Sequence, residues 1–134
     1  MLSFVPTICP YCGCGCGLLL VVKDGNIVGS EPWQRHPVNE GKLCNKGWNA
    51  YQFIHHPDRL KKPLIRKGNT FEESSWDKAL NLIAGKLNSL KEQSGSDSIA
   101  FLSSAKCTNE ENYLVQKFAR AVIGTNNVDH CARL

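Results

Sequence analysis

Cys9-Pro10-Tyr11-Cys12-Gly13-Cys14-Gly15-Cys16, joined later by Cys44, decides how this chain is read. Four cysteines lie within eight residues, and a C-x2-C-x3-C-x27-C spacing runs through them to Cys44. Three neighbouring thiolates and one remote one is a pattern of cubane iron-sulfur sites, where a single loop reaches three irons and a second segment reaches the fourth. Gly13 and Gly15 serve the same end, because a chain wrapping a bulky cluster needs positive φ values and backbone amides that approach its sulfides. Structural zinc more commonly uses two C-x2-C knuckles, and it stands as the alternative on spacing alone. Cys14 alternates with Cys12 and Cys16, and spacing leaves open which of these are ligands. The total of seven cysteines is odd and clustered, whereas a disulfide framework calls for an even set spread along the chain.

On the carboxy-terminal side of this loop, Leu18–Lys23 and Asn26–Gly29 read as short strands. Asp24-Gly25 between them suits a tight hairpin, so the cysteine cluster sits in a Gly-rich loop at the mouth of that hairpin. From Glu31 to Lys42 the chain is polar and carries Pro32 and Pro37. It then returns to Cys44, ahead of a short helix expected from about Gly47 to Ile54. This return brings the distant cysteine back to the cluster.

Near residue 60 the pattern changes, which sets an expected boundary between a unit of residues 1–60 and one of residues 61–134. Leu64–Thr70 contains a Lys67-Gly68-Asn69 turn. Trp76, Leu80, Ile83, Leu87 and Leu90 then recur at steps of three and four, with Ser74 or Ser75 to cap the start and Gly95 to end the helix. Ile99–Leu102 has the length and character of a buried strand. Thr108-Asn109-Glu110-Glu111 fits a capping box, and Leu114, Val115, Phe118, Ala121 and Val122 form the apolar stripe of a second helix that stops at Gly124. Asn127–His130 reads as the next strand. Strand, helix, strand in that order implies a parallel pair. The fold class expected is therefore α+β to α/β: a small β-rich cluster-binding domain, then the incomplete start of an α/β domain. Two parallel strands leave an edge and apolar faces uncovered, so the chain reads as cut short.

With 42% apolar and 21% charged residues the chain has the balance of a globular protein. Its net charge of +4 is spread without a block of like sign, so no nucleic-acid partner is expected. The longest apolar run, Leu18–Val22, is far short of the roughly 20 residues of a membrane helix, and no twin-arginine signal is present. A cytoplasmic location is the simplest expectation.

Cys-Pro-Tyr-Cys-Gly-x-Gly-Cys at 9–16, Gly41-Lys42-Leu43-Cys44-Asn45-Lys46-Gly47, Trp76-Asp77-Lys78-Ala79-Leu80, and residues 117–129 from Lys117 to Asp129 occur in order along the chain. Together they resemble the catalytic subunit of formate dehydrogenases, within the bis-pterin molybdenum and tungsten oxidoreductases. The resemblance runs from about Cys9 to the end. It implies a [4Fe-4S] cluster on Cys9, Cys12, Cys16 and Cys44, with Cys14 at a variable position. It also implies that Lys46 lies between the cluster and a pterin ring, where its cation would favour reduced cluster states. The loop after the Ile99–Leu102 strand precedes a helix amino terminus, where α/β sheets place phosphates; Lys106 and Asn109 are the expected pterin contacts there, and a solvated loop with Thr108 as the helix cap is the equal alternative. Cys107, Cys131, His36, His55, His56 and His130 are expected to bind nothing.

The resemblance further implies a molybdenum or tungsten bis-pterin guanine dinucleotide, formate as substrate, and an iron-sulfur or flavin subunit as electron acceptor. In that family a cysteine or selenocysteine, then a histidine, follows the segment matching Asn127–Leu134. The stop after Leu134 is accordingly expected to be a UGA codon, and the 134-residue chain alone is expected not to oxidise formate. Three other readings stand beside this one: another member of the same superfamily, a zinc-bound or metal-free structural module, and a free-standing ferredoxin-like carrier. The last fits poorly, because the helices after residue 75 have no use in holding a cluster.

Overall fold

The computed structural model describes residues 1–131. The chain divides into two compact units: Met1–Arg59 with Ser103–Leu114 and the residues from His130, and Leu60–Leu102 with Val115–Asp129.

The first unit is built on a three-stranded antiparallel sheet, β1 (Leu2–Ile8), β2 (Gly17–Lys23) and β3 (Asn26–Pro32), in that spatial order. β2 is central, and its Leu18, 1% exposed, packs with Cys9 and Ala50 under Tyr11, Cys16, Leu20 and Leu43. The Asp24-Gly25 turn forms as expected, with φ of 49° and 81°. Two successive positive φ values match the twist of the flanking strands. β3 carries an extra residue opposite the Val21/Val22 step, which bends it and shifts the register. β1 is absent from the sequence reading. It is an edge strand containing Pro6 and is exposed along most of its length, so no buried alternation marks it.

After β3 the chain loops to α1 (Asn45–Trp48), a single turn beginning immediately after Cys44. The helix expected over Gly47–Ile54 is replaced by this earlier, shorter one followed by successive turns. The cause is local: Asn49 donates its side-chain amide to the Asn45 carbonyl at 2.8 Å and competes with continued helix. Ser30 Oγ donates to the carbonyls of Gly47 and Trp48, at 3.1 and 2.6 Å, and fastens α1 to the sheet.

The second unit opens with the hairpin β4 (Leu64–Lys67) and β5 (Thr70–Glu73), turned at Gly68 with φ 59°. α2 (Trp76–Ser94) follows as expected. Ser75 accepts from the Lys78 N–H at 3.3 Å, and Gly95 ends the helix at φ 80°. The strand read at Ile99–Leu102 lies two residues later as β6 (Phe101–Ser104), because Ile99 closes a 3-10 turn over Ser96–Ser98 and is itself buried. β6 continues into α3 (Asn109–Phe118), whose last turns over Ala119–Ile123 widen to π geometry before Gly124 stops them at φ 87°. β7 (Val128–Cys131) then pairs with β6, giving a parallel sheet after the antiparallel one, as the strand-helix-strand order implies. Ala119 and Ile123 are buried, and Thr125 Oγ1 donates to Asp97 at 2.8 Å. α2 buries only Ala79 and leaves Trp76, Leu80 and Ile83 exposed.

Candidate metal centre

The cysteine loop is closed at its base by the Cys9 N–H, which donates to the Cys16 carbonyl at 2.8 Å and extends the β1–β2 ladder by one rung. Within the loop Gly15 takes a φ of 72°. Gly13 is held from outside, as Asn109 Nδ2 at the start of α3 donates to its carbonyl at 2.8 Å. A Cβ on Gly13 would come within 2.6 Å of that amide, so the approach depends on glycine.

Five thiols share this neighbourhood. Burial pushes the Cys9 thiol up, and the like charges of Cys12, Cys44 and Cys14 add to the effect. Cys16 is pushed up to about 11, first by burial and then by its hydrogen bond to Cys14, whose sulfur lies 3.5 Å away. Cys44 is drawn the other way: the backbone amides of Gly47 and Lys46 lower it, with a smaller contribution from the Lys46 charge. Cys9 is buried, Cys12 and Cys16 are half-buried, and Cys14 and Cys44 are exposed. Among the described residues, no three His, Cys, Asp or Glu side chains close around one point as a single-ion site.

Lys46 lies over the Tyr11 ring at 5.7 Å, and both line a cleft of about 430 Å³ with Asn45, Asn49 and Phe53. A smaller cleft of about 230 Å³ runs between the cysteine loop and the start of α3, lined by Cys12, Gly15, His36, Asn109 and Glu110. Lys106 is exposed in the turn before α3, its N–H donating to Ser104 Oγ at 3.0 Å. The structure sets Cys9, Cys12 and Cys16 on one loop, bonds Asn109 to its Gly13 and packs Leu43, the neighbour of Cys44, on the core beneath it, while Lys46 lines the larger cleft and Lys106 is exposed. Cys131 meets Ser104 Oγ at 3.3 Å.

Two buried residues have a structural role that their sequence context does not signal. His36, 8% exposed, accepts at Nδ1 from the Gly17 N–H at 3.2 Å. Asn39, 7% exposed, bonds to both backbone groups of Gly17. They occupy a Pro-bounded polar loop with no periodicity, and neither has a sequence signal separable from solvated polar residues.

Residues 2–56 match the model of the molybdopterin oxidoreductase Fe4S4 domain, and residues 59–134 match that of molybdopterin oxidoreductase. The chain belongs to the molybdopterin oxidoreductases. This molybdopterin oxidoreductase chain is 61% identical over 133 residues to the F420-dependent formate dehydrogenase 1 subunit alpha of Methanococcus maripaludis. It is 62% identical over 132 residues to the F420-dependent formate dehydrogenase subunit alpha of Methanocaldococcus jannaschii. These matches take in 99% and 98% of this chain but 19% of each relative, so the chain spans about a fifth of their length. Among solved structures it resembles acetylene hydratase from Pelobacter acetylenicus, with a TM-score of 0.71 and 28% identity, over 93% of this chain and 18% of that one. The matched domains imply a [4Fe-4S] cluster and a molybdenum or tungsten pterin cofactor. The donor set fits the first: a thiol-rich loop with a glycine at positive φ inside it, and a remote thiol that backbone amides lower.

Proposed function

We propose that this chain holds a [4Fe-4S] cluster on Cys9, Cys12, Cys16 and Cys44, and that it works in a formate dehydrogenase alpha subunit. There the cluster would pass electrons away from a molybdenum or tungsten pterin as formate becomes carbon dioxide. The observation that carries this reading is a loop closed between Cys9 and Cys16, with Leu43, the residue before Cys44, packed on the same core as Cys9. A cubane supplies one-electron storage; the protein's part is to hold four thiolates and to set the charge around them.

Within this reading Lys46 is the residue that couples the centres. Its cation stabilises a more negative reduced cluster, and its place on the larger cleft supports contact with a pterin there. Lys106 and Asn109 are proposed as further pterin contacts. Asn109 would serve through its place on the smaller cleft while its amide holds Gly13. Residues 1–60 form the cluster domain and residues 61–134 the first part of the pterin domain, a division supported by the two family models meeting between 56 and 59, although Ser103–Leu114 and the residues from His130 group with the first compact unit. A cytoplasmic setting and an iron-sulfur or flavin acceptor subunit complete the proposal. No helix among the described residues is long and apolar enough to cross a membrane.

The test is anaerobic reconstitution of the chain with ferrous iron and sulfide. About four irons and four sulfides per chain are expected, with a brown visible absorption. Alanine at Cys9, Cys12, Cys16 or Cys44 is expected to abolish full loading, and Cys14→Ala to leave it intact. Uptake of zinc in place of iron, or a colourless wild-type product, would end the reading. Lys46→Ala is expected to load normally and to shift the cluster's reduction potential downward.

A further inference from the structure

We propose that Asn39 is the positioning residue of the cluster site, its buried amide tying the loop of Cys9, Cys12 and Cys16 to the segment that delivers Cys44. The inference rests on the four-thiolate reading above and concerns how those thiolates are brought together.

The last rung between β2 and β3 joins Leu18 to Pro32, so β3 has ended where Gly17 begins. Because the Cys9 N–H bonds to the Cys16 carbonyl, alternation along an antiparallel ladder turns the N–H and C=O of Gly17 away from β1. They point to the side that β3 has left. Buried backbone groups there need partners, and Asn39 meets both: its Oδ1 accepts from the Gly17 N–H at 2.9 Å, closer than the His36 Nδ1 that shares this proton at 3.2 Å, and its Nδ2 donates to the Gly17 carbonyl at 3.1 Å. A side-chain amide thereby stands in for one residue of a strand, a task that needs a donor and an acceptor on one planar group.

The second Nδ2 hydrogen goes to the Lys42 carbonyl at 3.0 Å, two residues before Cys44. Gly17 directly follows Cys16, so one amide spans from the end of the three-cysteine loop to the approach to the fourth cysteine. The return is short. The Lys42 N–H donates to the Asn39 carbonyl at 2.6 Å, and Glu40 and Gly41, at φ of 45° and 77°, turn the chain between them. His36 presses on the same point, its ring filling the space that a Cβ at Gly17 would enter at 2.3 Å. The entropy of closing the 27-residue spacer between Cys16 and Cys44 is thus spent in forming this tie rather than in binding iron.

The test compares the wild-type chain with Asn39→Asp, Asn39→Ser and Ile27→Ala after anaerobic reconstitution with ferrous iron and sulfide. Aspartate keeps the shape and the acceptor for the Gly17 N–H, but it sets a carboxylate oxygen against the carbonyls of Gly17 and Lys42. Asn39→Asp is expected to lose iron to a ferrous chelator at least about tenfold faster than wild type, the effect of losing buried hydrogen bonds worth about 1.4 kcal/mol. On mild oxidation it is expected to give the paramagnetic signal of a three-iron cluster, because the iron held by Cys44 leaves first. Ile27→Ala weakens the same sheet at its far hairpin, and it is expected to lower the unfolding midpoint without either change. Should Asn39→Asp fail to fold, Asn39→Ser removes the amide without adding charge and decides on the same terms. Wild-type release rates and spectra in the Asn39 variants, or equal changes in Ile27→Ala, would overturn the inference while leaving the four-thiolate reading intact. A wild-type chain that loads no iron would overturn both.

Discussion

Replacing Leu18 with alanine removes the one large side chain that is fully buried among the described residues. Its neighbours are Cys9 and Ala50, with Tyr11, Cys16, Leu20 and Leu43 around them, so the cavity opens directly beneath the cysteine loop. Leucine-to-alanine changes in packed cores cost about 2–5 kcal/mol, and a Gly-rich roof that partly collapses sets the expected loss near 3 kcal/mol. A unit this small, with a core of one leucine, one cysteine and one alanine, commands no more than about 3–5 kcal/mol in total. The metal-free Leu18→Ala chain is therefore expected to have a folded-to-unfolded ratio roughly a hundredfold lower in this unit. Amide hydrogen exchange over β2 and β3 reads that quantity directly, since protection there depends on opening of the sheet. Cluster loading binds only the folded form and is expected to restore much of the protection by mass action. If metal-free Leu18→Ala exchanged its β2 amides within about threefold of wild type, the claim that this core holds the loop would be wrong.

Four further outcomes follow from single residues. Gly124→Ala places a Cβ at φ 87° and is expected to cost at least about 1 kcal/mol, seen as a lower unfolding midpoint with an unchanged slope in urea. Thr108 and Glu111 bond reciprocally, the Thr108 N–H to Glu111 Oε2 at 2.7 Å and the Glu111 N–H to Thr108 Oγ1 at 3.3 Å; Thr108→Ala is expected to cost about 1 kcal/mol of stability in chemical denaturation. The same bonds to the Thr108 backbone and side chain lower the Glu111 carboxyl, so its contribution is present above the unfolded carboxylate value and is lost as pH falls through the lower folded one; carboxyl titration by NMR that showed Glu111 raised would contradict this. Asn109→Ala releases the Gly13 carbonyl, and the net loss of about 1 kcal/mol is expected to appear as several-fold faster exchange of the amides in the cysteine loop.

The elements legible in the sequence are those whose causes lie within a few residues of one another. Ser75 and Gly95 bound α2, Thr108 and Glu111 open α3, Gly124 closes it, and Asp24-Gly25 turns the hairpin, each through contacts inside one turn of chain. β1 was not legible, because an exposed edge strand with Pro6 carries no alternation to read. The Ile99 strand was displaced because an apolar residue can bury itself by ending a 3-10 turn as well as by joining a sheet.

For the candidate site, the sequence by itself supplied the candidate donors: five thiols, their spacing, and the glycines that let a loop wrap a cluster. Only the tertiary structure decided what holds those donors. Asn39 meets Gly17 across 22 residues and Asn109 meets Gly13 across 96. Whether an asparagine faces solvent or completes a strand depends on where another segment ends, here Pro32, and no local pattern encodes that. Thiol chemistry is written residue by residue, whereas satisfaction of buried backbone groups is settled only when the chain has closed on itself.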